Sequence, residues 1–319
     1  MIASILKQLG TLLISLLGLT VLTFILSQQS DTPIHPYQSD SAFIQYFEYI
    51  QFLINGDWGI SSIHKRSVLK DFLQHFPATI ELIVFAMILA VTTGLALGIL
   101  ASTRRGGWLD NTLMTTSLVG YSMPIFWWGM LLVLLFSLTL GWTPVAGRIS
   151  FEYDIQPFTR FMLIDTLLHH NKYGFDAFLN ALHHLILPAV TLSTIPMAII
   201  ARMTRSSLLA VLKSEYIRTA RSKGISKQRI IWVHALRNAL QPILTISGVQ
   251  ISIIMSGVII TEYIFAWPGI GKWLLEAVSR RDFASIQGGV LALSIIVIAF
   301  NLVLDFLSIY LNPRLRRPS

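Results

Sequence analysis

Six apolar runs, at about residues 9–26, 82–101, 113–140, 185–201, 239–260 and 284–304, divide this chain, and none of them contains Lys, Arg, Asp or Glu. A membrane-spanning helix needs about 20 apolar residues, so the pattern predicts six transmembrane helices. The third run is long and holds Pro124, which predicts a kink or a tilted span. The fourth is short and carries Pro188 and Pro196. The first follows Lys7 but leads into Ser-Gln-Gln-Ser-Asp, with no small-x-small cleavage site, so it reads as an uncleaved span.

The expected fold class is therefore an all-α polytopic membrane protein. Residues 1–27 form an N-terminal transmembrane helix and 28–79 a first periplasmic segment. Residues 80–312 form a five-helix core, and 313–319 a cytoplasmic tail. Within the core lie a periplasmic segment, 142–184, and a cytoplasmic loop, 202–237.

Composition sharpens this reading. The chain is 54% hydrophobic and 13% charged, with mean hydropathy +0.65; soluble chains are about 25% charged. Its net charge of +8 is segregated. Lys7, Arg104, Arg105, nine Lys/Arg within 202–237, Arg314, Arg316 and Arg317 share one side. The other side has fewer basic residues, spread over more chain and offset by most of the acids. The positive-inside rule makes the first side, with both termini, cytoplasmic. That segregation, with no aromatic-interleaved basic patch, argues against nucleic acid as a partner. The absence of cysteine excludes disulfides, Fe–S clusters and thiol catalysis.

The loop 202–237 contains a single acid, Glu215. Leu209, Leu212, Tyr216 and Ala220 recur at helical spacing and predict one apolar face. Gly224 can end that helix in a left-handed conformation, and Ser226 can cap a second. The second helix runs through Ile230, Ile231 and Val233 and is expected to stop at Gln241-Pro242. Anionic headgroups alone would attract so basic a loop. The glycine-punctuated two-helix pattern points further, to a protein-docking element.

At this loop the sequence resembles a known family. Glu215-Tyr-Ile-Arg-Thr-Ala-Arg-Ser-Lys-Gly-Ile-Ser226, followed by His234-Ala-Leu-Arg-Asn-Ala-Leu-Gln-Pro242, is similar to the coupling loop of ABC-importer permeases, in the dipeptide/oligopeptide/nickel branch. Arg218-Thr219-Ala220 stands where the wider superfamily has Glu-Ala-Ala, and Gly224 is its glycine. Further similar elements run along the chain in order: Gly56-Asp-Trp-Gly59 with Ser61, Phe76-Pro-Ala-Thr-Ile-Glu-Leu82, Arg105-Gly106 with Leu109-Asp110, and Ser122-Met-Pro-Ile-Phe126. Leu187-Pro-Ala-Val-Thr-Leu192, Glu262 with Pro268-Gly-Ile-Gly271, Arg281-Asp282, Ile286-Gln-Gly288 and Asn312-Pro-Arg314 complete the series. Ser137 to Arg148 and Ile164-Asp165 resemble the SapB-type subgroup, linked to antimicrobial-peptide sensitivity.

The resemblance implies a type I ABC-importer permease fold in the inner membrane. It implies a second homologous permease, two cytoplasmic ATP-binding subunits and a periplasmic substrate-binding protein as partners, with membrane lipid around them. The implied ATPase-coupling residues are Glu215, Arg218, Thr219, Ala220 and Gly224. The implied cargo is peptides, including cationic or antimicrobial ones; nickel chelate, haem and polyamine are the alternatives. No G-x-x-x-x-G-K-S/T loop is present, so ATP chemistry is expected in the partners, and no cofactor is expected here. A secondary transporter or channel is the competing class; it would carry mid-membrane ionisable residues or inverted repeats, and neither is found.

Smaller features have two readings each. Gly94-x-x-x-Gly98 is a sliding surface or close helix packing. Asn301 and Asp305 line a pathway or make an interfacial hydrogen bond. His169-His170 and His183-His184 lack the ligand spacing of a metal site and read as loop histidines. Glu152, Asp154, Asp165 and Asp176 meet a cationic substrate or the binding protein, or reflect the acidic bias of an outer loop.

Overall fold

The computed structural model describes residues 2–28 and 41–311. The tail 313–319, including Arg314, lies outside the described residues, as do 29–40 of the first outer segment. Among the described residues the architecture is helical, and the one β feature is a bridge between Ile60 and Ser67. The helices are α1 (Ile2–Gln28), α2 (Ala42–Ile54), α3 (Val68–Thr103), α4 (Trp108–Ser122) and α5 (Ile125–Leu132), which continues as a π-helical segment, Val133–Thr139. Short helices α6 (Met162–Leu168) and α7 (His170–Tyr173) precede α8 (Asp176–Leu212). Next come α9 (Glu215–Ser222), α10 (Lys227–Arg229), a π-helical stretch Ile230–Ala235, α11 (Leu236–Ile264), α12 (Ile270–Ser279) and α13 (Phe283–Leu311).

Among the described residues, four helices are long and apolar enough to cross a membrane: α3, α8, the continuous run Lys227–Ile264, and α13. The pair α4–α5 makes a fifth if its broken halves count as one span. In α1, Leu13–Gln28 forms a shorter apolar helix.

The core is the pairing of α3 with α8, on which α11 packs. Small residues recur on α3 at Ala78, Ala86, Ala90, Gly94 and Gly98, spaced by multiples of four. Such a row lets two backbones approach closely. A Cβ on Gly98 would lie 2.4 Å from Thr204 Cβ and 2.6 Å from the Ala201 carbonyl oxygen. The Gly94/Gly98 pair is thus a close-packed seam. Leu82, Leu185, Leu192, Ile254, Val258 and Trp267 extend this core toward one end. Ile200, Leu208, Ala239 and Ile243 extend it toward the other.

The kink expected at Pro124 is present, whereas the other prolines correct the sequence-based boundaries. The third span bends by 110° between Ser122 and Ile125. A residue before proline is pushed out of the helical region, and Met123 and Pro124 are both extended. Pro188, Pro196 and Pro242 lie inside helices. Pro188, Pro196 and the flanking Ala189 and Ala198 are buried, as are Ala239 and Ile243 around Pro242, so packing holds those helices through their prolines. The fourth span therefore outruns its predicted ends, and the second loop helix does not stop at Pro242.

Candidate functional site

At the basic end of the bundle, α8 breaks at Lys213 and α9 begins. Ser214 is extended (φ −69°, ψ 152°), and Glu215 in the first turn and Arg221 in the last both complement the helix dipole. The helix ends in a Schellman arrangement. Gly224, at φ +77°, donates its N–H to the Arg221 carbonyl (3.0 Å), and Ile225 donates to Ala220 (3.3 Å).

One side of α9 is packed. Ile217 and Ala220 are buried with Ile230, against Val211, Leu212 and Ile225. The expected face through Tyr216 is corrected by the break at Lys213–Ser214, which rotates the register and puts Ile217 inward. Tyr216 is 44% exposed and flanks the helix; Asn238 donates to its hydroxyl (2.8 Å). Ala220 therefore supports α9 from beneath. Glu215 and Arg218 project outward, with side chains 84% and 73% exposed, and pair with each other at 3.1 Å. So exposed a pair contributes little to stability. Thr219 and Ser222 share this outer face.

A second contact braces the same end and was invisible in sequence. Arg205 of α8 binds Asp110 of α4 through Nε–Oδ1 (2.5 Å) and Nη2–Oδ2 (2.7 Å). Asp110 also accepts from the Gly106 N–H (3.0 Å), closing the turn between α3 and α4. A bidentate guanidinium–carboxylate pair fixes both orientation and distance.

At the opposite end, motifs far apart in sequence converge. Thr79 of α3 donates to Glu262 Oε1 (2.6 Å) and accepts from the Ile270 N–H (2.8 Å). Glu262 Oε2 accepts from Gly271 (2.7 Å) and Lys272 (3.2 Å), the first turn of α12. A carboxylate suits a helix N-terminus, where N–H groups lack partners. Glu81, two residues from Thr79, pairs with Arg148 and accepts from the Leu163 N–H (2.9 Å). Arg148 lies 5.3 Å above the Trp267 ring, and the Trp267 indole N–H donates to the Ala78 carbonyl (2.8 Å). The segment 142–184 is thereby anchored to α3 and to the turn after α11.

The Gly56–Ser61 element docks beside this cluster. Gly56 and Gly59 have φ of +78° and +85°. Ser61 donates to Asp282 (2.5 Å), which also accepts from the Ser62 N–H and from Ser285. Burial pushes the Asp282 carboxyl up, but the hydrogen bonds from Ser61, Ser285 and Ser62 outweigh it and hold the group below its ordinary range.

Three of the four histidines are otherwise engaged. His169 Nδ1 meets the Asp165 carbonyl (2.8 Å), His183 Nε2 that of Trp142 (2.5 Å) and His184 Nδ1 that of Asn180 (2.9 Å). Among the described residues, no three metal-ligating side chains gather. Asp165 is buried, capping Thr159 and Arg160 N–H groups, both at 2.8 Å. Asn301 accepts a hydrogen bond from Ser252 (2.7 Å), which ties α13 to α11. The Asp305 side chain lies outside the described residues.

The family described as binding-protein-dependent transport system inner membrane component matches residues 94–317. The chain is 47% identical to the di/tripeptide transport system permease protein DppB of Pseudomonas aeruginosa, over 99% of each chain. It is 36% identical to the peptide transport system permease protein SapB of Salmonella typhimurium, over 98% of this chain and 97% of that one. Among solved structures, a chain of the MetNI methionine ABC transporter in inward facing conformations shares the fold. Its TM-score is 0.54 at 15% identity, covering 83% of this chain and 98% of that one.

Proposed function

This chain belongs to the family of binding-protein-dependent transport system inner membrane components, and on that premise we propose how its two ends divide the work of peptide transport. It is a multi-pass inner membrane protein and the permease subunit of an ABC transporter, a transporter component rather than a catalytic enzyme. Such a permease works with ATPase and binding-protein partners.

In this reading the basic end is cytoplasmic and α9 is the element on which an ATPase docks. The observation that carries it is the two-sidedness of α9. Its inner side is fixed by Ile217 and Ala220, and its outer face of Glu215, Arg218, Thr219 and Ser222 is free of packing. Gly224 gives the turn that returns the chain to α11. A seated helix transmits displacement where a flexible charged loop would absorb it. The full assembly pairs this permease with a second one, two ATPases and a periplasmic binding protein.

The names of the two relatives support peptides as cargo. The pathway runs along α11, where Gln241, Thr245, Ser256 and Tyr263 are exposed and Ser252 is half-buried. At about 100° per residue these five fall within about 60° of helix arc. Asn301 borders that stripe through Ser252. Polar side chains exposed in a span face a water-filled route or another subunit. Asp305 lies one turn beyond Asn301 in this proposal.

The test uses the natural absence of cysteine. Thr219→Cys is expected to cross-link to the ATPase, with a yield that changes when ATP is added, whereas Ile217→Cys is not. Full assembly and transport in an Arg218→Glu/Thr219→Trp variant would defeat the assignment.

A further inference from the structure

A cavity of about 700 Å³ lies at the basic end, between the ends of α3 and α8 on one side and α9 and α10 on the other. Four cations line it, Arg105, Lys213, Arg221 and Lys227, together with the hydroxyl residues Ser102 and Thr103, and no acid does. All four cations are exposed, and among the described residues none has a carboxylate within 4 Å. Four like charges around one hollow repel each other unless a counter-charge sits among them. The rest of the wall is apolar, including Leu209, Leu212 and Ile231.

We propose that this cavity holds the phosphate headgroup of an anionic phospholipid of the inner leaflet. Its depth supports a lipid over a soluble anion. Ser102, buried in the cavity wall, follows directly on the apolar run of α3, so the cavity lies near the level where hydrocarbon gives way to headgroups. A basic pocket at that level with apolar walls accepts a charged head and the first carbons of its chains. The cavity is also distinct from the outer face of α9. Arg221 sits on one flank of that helix and Tyr216 on the other, so the headgroup would brace α9 against Arg105 and the α3–α4 turn. The proposal rests on the sidedness given above.

The experiment takes the assembled transporter, purified in detergent, and measures by native mass spectrometry which phospholipids remain after delipidation. Phosphatidylglycerol is expected to be retained in preference to phosphatidylethanolamine. Arg105→Gln/Arg221→Gln is expected to weaken retention by roughly thirty-fold, the change that two lost phosphate-facing cations carry. Lys213→Gln/Lys227→Gln, at two exposed positions outside the packed core, should lower it similarly and guards against a folding defect in the first variant. Equal retention of the two lipids, or variants that bind as the parent does, would overturn the proposal. So would displacement of the lipid by inorganic phosphate, or a cross-link from Arg221→Cys to the ATPase. The Thr219→Cys cross-link reads the docking assignment separately, so failure of one idea is distinguishable from failure of the other.

Discussion

Replacing Glu81 by glutamine would leave the Arg148 guanidinium buried without its counter-charge. The side chains of this pair are 5% and 9% exposed. Two unit charges about 4 Å apart attract by about 4 kcal/mol at an effective dielectric near 20, and removing one partner of a buried pair costs about 3–5 kcal/mol. Arg148 would keep two long hydrogen bonds to the Arg160 carbonyl, at 3.3 and 3.4 Å, and its place 5.3 Å above Trp267. Those residual contacts set the expected loss near the lower bound, about 3 kcal/mol. Arg148→Met should cost a similar amount, because Glu81 then retains only the Leu163 N–H. In Glu81→Gln/Arg148→Met both charges are gone and Leu163 still has an acceptor. The double variant should therefore be less destabilised than the sum of the singles by at least about 1.5 kcal/mol. Unfolding of the solubilised transporter, followed by tryptophan fluorescence, measures this. Additivity within about 0.5 kcal/mol would refute the coupling and the anchoring of segment 142–184 to α3 drawn from it.

Two further outcomes follow from neighbouring contacts. In Gly269→Ala the new Cβ would lie 2.0 Å from Glu262 Oε1, so the carboxylate must leave its bonds to Thr79 and Gly271. Leaving buried donors and acceptors unsatisfied costs about 1–3 kcal/mol each, so a loss near 3 kcal/mol is expected in thermal unfolding, and a near-native midpoint would contradict it. For Asp282 the folded-state carboxyl is held below its ordinary 3.8. Its contribution is thus fully present above that value and is lost as pH falls through the lower folded one. Hydrogen-exchange protection around Ser61 and Ser62 should drop on acidification below about pH 4, and pH-independent protection would count against the link.

The apolar runs were legible because burial in lipid leaves no room for charge, and five of the six run through long apolar helices or the broken pair α4–α5. The kink at Pro124 was legible, but what Pro188, Pro196 and Pro242 do was not, since proline removes one N–H wherever it stands and the surroundings decide the rest. Pro124 sits at a break, whereas Pro188, Pro196 and Pro242 sit within packed helices. The α9 helix and its stop at Gly224 were readable from local signals. Its inward face was not, because a break at Lys213 shifts the phase of everything after it. Pairs such as Asp110 with Arg205 and Glu81 with Arg148 join residues too distant for any periodicity to couple. The available signal was weaker: isolated charges standing just outside apolar runs, where an unpartnered one would be costly.

The seam of α3 against α8 gives the molecule a lever ratio. From Gly94, the α3 backbone extends about 20 Å to Glu81 but only about 12 Å to Ser102, at 1.5 Å per residue. A rigid tilt of about 10° pivoting at that glycine would move the Ser102 end by about 2 Å and the Glu81 end by about 3.5 Å. The smaller travel is a modest displacement beside α9. The larger exceeds the tolerance of hydrogen bonds such as Thr79 to Glu262, which weaken beyond about 3.2 Å. Such a tilt would displace the end that carries Glu81 further than the end beside α9, and would break bonds only at the former.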